Sequence, residues 1–289
     1  MFSGCLVALV TPFKKGAVDY GNLRELVDWH LEQGTDGLVP CGTTGESPTL
    51  SFEEHEEVIR VVVERAKGRI PVVAGTGSNN TVEALRLTRF AKEAGADGAL
   101  LITPYYNKPT QEGMYRHFRT IAEEVDIPIV LYNVPGRTGI NLAPETVARL
   151  AQVKNIVGIK EASGSLDQAS EIASRCTMTI LSGDDSLTLP LLSVGGKGVI
   201  SVVANIVPGD MKAMITAYER GDAERARELH LKLFPLCRAM FLETNPIPVN
   251  AAMKLLGMGT GEVRLPLCEM SPANEAKLRQ ALVDYGLLR

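Results

Sequence analysis

Eight short apolar runs recur at intervals of roughly 30 residues through the first two-thirds of the chain. They are Leu6–Val10, Gly37–Pro40, Pro71–Ala74, Gly98–Ile102, Pro128–Leu131, Ile156–Ile159, Met178–Leu181 and Gly198–Val203. Each has the length and continuous apolar character of a strand buried on both faces. Amphipathic stretches lie between them. Leu23, Leu26, Val27 and His30 share one helical face, and Val58, Val61, Val62 and Arg65 another. The stretch Ala84–Lys92 stops at Ala94-Gly95-Ala96-Asp97-Gly98. Helix starts are signalled by Ser51 ahead of Glu53-Glu54, by Thr81 ahead of Glu83 and by Thr110 ahead of Glu112. Eight buried strands alternating with helices predict a closed parallel (β/α)8 TIM barrel. An open doubly wound sheet would carry a Gly-rich fingerprint after its first strand, and Thr11-Pro12-Phe13 is not one.

After about residue 207 the strand pattern stops. Met211–Arg220, Ala223–Phe241, Pro248–Leu256 and Ala273–Tyr285 read as helices. The expected organisation is therefore a barrel over residues 1–224 and a helical extension over 225–289, packed on it without a low-complexity linker.

Composition removes several function classes. Net charge is −4, and the longest basic run is Lys14-Lys15, so neither a nucleic-acid footprint nor a polybasic membrane patch is present. No apolar run is long enough to span a bilayer. The first residues, MFSGCLVALVTPF, read as a strand and not as a signal peptide. Five widely spaced cysteines without a CxxC, and four scattered histidines without an HxH or HxxxH pair, argue against a disulfide framework or a metal site. A reducing cytoplasm is expected.

The chemistry of such a barrel gathers at the C-terminal strand ends. Lys160 closes Ile156-Val157-Gly158-Ile159-Lys160. Alternation puts it on the face of Ile156 and Gly158. If that face is the interior, burial disfavours the ammonium form, and a neutral amine can form an imine with a ketone. The alternative is a lysine snorkelling at a strand end or paired with Glu161. Tyr132 and Tyr106, each following a strand end, are candidate proton carriers where no histidine is placed; core or interface packing is the other reading. Gly42-Thr43-Thr44-Gly45-Glu46 is a small-residue turn, read as entering a helix, whose N–H groups and hydroxyls suit a carboxylate. A plain connecting turn remains open. Arg137 suits bidentate carboxylate binding, or is an ordinary surface arginine. Gly195-Gly196-Lys197-Gly198 precedes the eighth strand and so belongs to the opposite face; Asp184-Asp185 reads as structural.

In ordered blocks from Leu6 to Pro266 the sequence resembles the dihydrodipicolinate synthase family of pyruvate-dependent class I aldolases. The blocks include Cys41–Ser47, Thr103–Glu112, Leu131–Gly139, Gly158–Ala162 and Glu243–Pro248. The resemblance implies condensation of pyruvate with L-aspartate 4-semialdehyde to 4-hydroxy-tetrahydrodipicolinate, in the diaminopimelate route to lysine. It implies an imine on Lys160 and a proton relay through Tyr132, hydrogen-bonded to Thr44, completed by Tyr106 from a neighbouring subunit. Thr43 and Thr44 would hold the pyruvate carboxylate and Arg137 that of the second substrate, with Gly183 and Ile200 lining the site through their carbonyls. It also implies a homotetramer (a dimer of dimers) with no organic cofactor and no catalytic metal. Inhibition by L-lysine would use Ser47, His55, Asn79, Glu83 and Tyr105, with Pro48 and Phe52 departing from the family pattern and weakening it. Asn250 departs from the usual lysine after Asn-Pro-Ile-Pro-Val. Two rivals stay open: a sister aldolase acting on sialic or 2-keto-3-deoxy sugar acids, which would have less use for Arg137, and a non-catalytic protein on an inherited barrel.

Overall fold

The computed structural model describes residues 2–289. Eight parallel strands alternate with helices: β1 (Gly4–Ala8), β2 (Gly37–Val39), β3 (Val73–Gly75), β4 (Gly98–Ile102), β5 (Ile129–Asn133), β6 (Ile156–Glu161), β7 (Thr179–Ser182) and β8 (Gly198–Ser201). They pair in the order β2-β1-β8-β7-β6-β5-β4-β3, and a parallel bridge from Leu38 to Val72 closes the ring. The outer helices include α1 (Tyr20–Glu32), α2 (Phe52–Ala66), α3 (Thr81–Glu93) and α4 (Gln111–Glu124). After the short α5 (Pro135–Thr138) come α6 (Pro144–Leu150), α7 (Leu166–Arg175), α8 (Thr188–Ser193) and α9 (Pro208–Glu219). Then α10 (Ala223–Ala239), α11 (Ile247–Leu255) and α12 (Pro272–Tyr285) form the extension. The expected division after residue 224 falls in the first turn of α10. A two-stranded hairpin, Phe13–Lys14 with Ala17–Val18, had no signal in the sequence pattern. No described helix is long and apolar enough to cross a membrane.

Local signals explain most boundaries. Ser51 and Glu54 form a reciprocal capping box at the start of α2. Thr110 caps α4 through the N–H of Gly113. The cap of α3 is Asn80, one residue before the expected Thr81, because its side chain accepts from the N–H of Val82. In α1 the buried residues are Leu23, Leu26, Val27 and His30. On α2, Val58, Val61 and Val62 are buried, but Arg65 turns outward to an ion pair with Asp28 of α1.

Leu6, Ala8, Val39, Val73, Leu100, Val130, Leu181 and Ile200 pack as one cluster inside the barrel. A second layer, including Ile129, Leu131, Ile156, Ile159 and Ile180, packs between strands and helices. Fully burying such a side chain contributes about 1.5–3 kcal/mol, so the two layers set the register of each strand. At β6 that register breaks. Ile129 pairs with Ile156, but Val130 pairs with Gly158, so Val157 is an extra residue. Ile156 packs outside and Val157 against the interior cluster. The expectation that Lys160 shares the face of Ile156 is therefore incorrect: the bulge reverses the alternation, and Lys160 pairs with Tyr132 and Leu181 of the inward set.

At the opposite end, the Gly195–Gly198 segment is structural. The N–H of Gly4 bonds to the Lys197 carbonyl at 2.8 Å. A Cβ on Gly198, which has φ +148°, would lie 2.1 Å from the Gly4 carbonyl oxygen. The variant Gly198→Ala is expected to lose about 3 kcal/mol of unfolding free energy through this overlap. A urea midpoint unchanged from the parent would contradict that assignment.

Candidate active site

Lys160 lies inside β6, not beyond it, because the ladder continues into polar residues: Tyr132 pairs with Lys160 and Asn133 with Glu161. Tyr132 likewise lies within β5, so it does not follow a strand end as expected. Lys160 is only 5% exposed, and its Nζ sits 4.2 Å from the centroid of the Tyr132 ring. Pairing with Glu161 is ruled out by geometry. The Glu161 carboxylate faces the opposite side and accepts from Asn133 Nδ2, the Ser163 N–H at 2.8 Å and Gln168 Nε2 at 3.0 Å. Among the described residues Lys160 enters no ion pair.

Above Tyr132 opens a cavity of about 220 Å³. Its wall includes Thr43 and Gly42 after β2, Gly75 at the end of β3 and Gly77 beyond it, Tyr105 after β4, and Arg137 after β5. Gly75 is required by close approach, since a Cβ there would fall 2.2 Å from the Cys41 carbonyl oxygen. The backbone N–H groups of Thr43 and Thr44 have no hydrogen-bond partner among the described residues, which leaves two donors beside the cavity. The turn does not enter an α-helix, contrary to expectation. A short 3-10 turn, Ser47–Thr49, and the Ser51 cap intervene before α2. Any anion here is held by loop donors, without a helix terminus.

Thr44 is 2% exposed. Its Oγ1 accepts from Asn245 Nδ2 at 3.1 Å, and the expected bond to the Tyr132 hydroxyl is not among those of the described residues. Arg137 donates from a guanidinium nitrogen to the Asn245 backbone carbonyl at 3.0 Å. Asn245, from the segment between α10 and α11, was given no role by sequence reasoning, although it lies in the Glu243–Pro248 block that carries the resemblance. Asn250, also buried, donates from Nδ2 to the Pro246 carbonyl at 3.1 Å and so braces that segment. Gly183 and Ile200 do not line the cavity. Ile200 packs in the barrel interior and the Gly183 N–H bonds to the Glu161 carbonyl. Asp185 accepts from the N–H groups of Val202 and Val203, in keeping with a structural role.

Tyr106 stands apart. It is 90% exposed, with φ +70°, in the loop after β4. Six described non-glycine residues have positive φ, and four of them, Cys41, Glu46, Tyr106 and Lys108, occupy the two loops beside the cavity. Backbone strain is thus concentrated at the site.

A second cavity, of about 170 Å³, contains Ser47, His55, Glu83 and Tyr105 in its wall, with Pro48 and Phe52. Asn79 lies beside it and donates to the Tyr105 carbonyl at 3.1 Å. Ser47, Pro48, Gly77 and Tyr105 belong to both cavities, so one wall separates them. His55 donates from Nε2 to the Gly75 carbonyl at 2.7 Å, and burial lowers its pKa. Glu83 accepts from the Ser78 hydroxyl at 2.7 Å.

Glu46 joins the Thr43-Thr44 turn to that wall. Its Oε2 accepts from the Arg264 N–H at 3.1 Å, while Oε1 is buried without a partner. Burial pushes its carboxyl up to about 7 from the ordinary 4.5. The folded state therefore holds this proton more tightly than the unfolded chain. The associated stability is complete below pH 4.5 and is lost as pH rises through about 7. Glu46→Gln, neutral at every pH, should match the parent at pH 4.5 and exceed its stability by on the order of 2 kcal/mol above pH 7. Equal pH–stability profiles for the two proteins would show that Glu46 is not the group responsible.

The chain matches the profile of the Dihydrodipicolinate synthetase family over residues 1–284. It is 60% identical over 290 residues to the 4-hydroxy-tetrahydrodipicolinate synthase of Nitratidesulfovibrio vulgaris, covering 99% of each chain. Among solved structures it is similar to the chloride-inhibited dihydrodipicolinate synthase of Acinetobacter baumannii complexed with pyruvate, at 46% identity, TM-score 0.98 and 100% coverage of both chains. It is also similar to the enzyme of Cyanidioschyzon merolae with lysine bound, at 45% identity, TM-score 0.97 and 99% coverage of both. The chain belongs to the dihydrodipicolinate synthetase family.

Proposed function

We propose that this family member condenses pyruvate with L-aspartate 4-semialdehyde through a Schiff base on Lys160, giving 4-hydroxy-tetrahydrodipicolinate in the diaminopimelate route to lysine. One observation carries the reading: a buried lysine, in no ion pair among the described residues, lies 4.2 Å from the ring centroid of Tyr132, and Tyr132 lines the cavity. The Lys160 amine, once it has given up its proton, attacks C2 of pyruvate, and loss of water gives the imine. The imine draws electrons from the methyl group, which loses a proton and becomes an enamine carbon. That carbon attacks the aldehyde. The amine of the second substrate then closes onto the imine carbon and displaces Lys160.

The roles follow from reach and chemistry. Tyr132 moves protons at the imine, and the Thr44 hydroxyl is assigned as the next group of the relay. The unpartnered N–H groups of Thr43 and Thr44 support carboxylate binding. Arg137 meets the carboxylate of the second substrate. Tyr106, exposed and strained, reaches the relay of a neighbouring chain, so a dimer is the smallest active unit and a tetramer its pair. The barrel of residues 1–224, the extension of 225–289 and a cytoplasmic setting belong to the same reading; the five free cysteines suit a reducing compartment.

Purified protein supplied with pyruvate and aspartate semialdehyde should form the cyclised product. Comparable turnover with a polyhydroxy aldehyde in place of the semialdehyde would favour the sugar-acid aldolase reading instead. Arg137→Ala should raise KM for the semialdehyde by about 10- to 100-fold, as loss of a charge-assisted pair requires, with little change for pyruvate.

L-Lysine is proposed to occupy the second cavity, its ammonium near Glu83, and to act through the shared wall. Millimolar lysine should slow turnover, and Glu83→Gln should relieve that effect. No response of the parent enzyme to lysine would remove this part of the proposal.

A further inference from the structure

We propose that Asn245 is a positioning residue for the condensation: it fixes the direction in which the Thr44 hydroxyl gives its proton, and so ties the extension to the proton relay. This rests on the pyruvate-imine reading above. Asn245 lies outside the barrel, in the segment between α10 and α11, and is 4% exposed. Its side-chain Nδ2 donates to Thr44 Oγ1 at 3.1 Å. Its backbone carbonyl accepts from Arg137 at 3.0 Å. One residue thus touches both groups assigned to the two substrate carboxylates.

Donor direction gives the contact its meaning. A hydroxyl has one proton and two lone pairs. An amide nitrogen can only donate, so it occupies a lone pair of Thr44 and leaves the proton to be given elsewhere. Thr44 makes no other side-chain hydrogen bond among the described residues, so this proton is free to be given to the relay. Were the amide reversed, its oxygen would take the proton and silence the relay. The Asn245 Oδ1 is buried with no partner, and a buried carbonyl left unpaired calls for an explanation beyond packing. The bond from Asn250 to the Pro246 carbonyl holds the segment in place.

The test uses the full-length enzyme with Asn245→Ala and the isosteric Asn245→Asp. Ionised aspartate only accepts, so it should reverse Thr44. Both variants should lose about 10- to 100-fold in kcat, the scale of a misdirected catalytic contact. KM for both substrates should hold, because Arg137 is bound through the backbone of residue 245. In a Thr44→Val background neither substitution should cost anything further. Losses that multiply in the double variants, or parental kcat in the single ones, would overturn the proposal. A purely structural Asn245 would instead lower the thermal midpoint and leave kcat per folded site intact. Should Asn245→Ala fail to fold, Asn245→Asp with Thr44→Val decides alone. If the parent enzyme makes no product, it is the functional reading that fails; if it does, the variants judge Asn245.

Discussion

The site depends on one irregularity in the β5–β6 ladder. Ile129 and Ile156 face the helices together, and regular alternation from Ile156 would turn Lys160 the same way. Val157 is the inserted residue that reverses the count. Gly158 accommodates it, because a Cβ there would already stand 3.0 Å from the Thr179 carbonyl oxygen. Lys160 then enters the interior beside Tyr132. Lys160 forms no direct ion pair among the described residues, and the neighbouring carboxylate of Glu161 is engaged elsewhere.

The remaining features support that geometry from outside. Glycines at 75 and 77 let the strand ends approach closely enough to enclose a small cavity. The two strained loops, around Cys41–Glu46 and Tyr106–Lys108, carry the donors and the exposed tyrosine. The extension, far along the sequence, touches Thr44 and Arg137 through Asn245, while Arg264 ties the same extension to Glu54 and to the turn at Glu46. Ser47, Pro48, Gly77 and Tyr105 form the wall common to both cavities.

The strand count, the barrel and the buried face of α1 were legible because they follow from periodicity and apolar burial alone. Lys160, Tyr132, Thr43 and Arg137 were legible as polar residues at strand ends. What periodicity cannot carry is a change of period. The bulge at Val157 was invisible because Ile156-Val157-Gly158-Ile159 is apolar throughout, and no polar residue marks which face is which. The direction of Lys160 was right although the alternation used to reach it was not. Asn245 and Arg264 were missed for another reason: their partners are separated from them by about 100 to 200 residues, and no local pattern encodes such contacts.

The account stands on Lys160 as the imine-forming group. Borohydride reduction in the presence of pyruvate, followed by peptide mass mapping, tests it most directly. One reduced pyruvate adduct per chain on the peptide containing Lys160 is the expected result. A protein that remains unmodified, or one whose adduct maps to a different lysine, would contradict it.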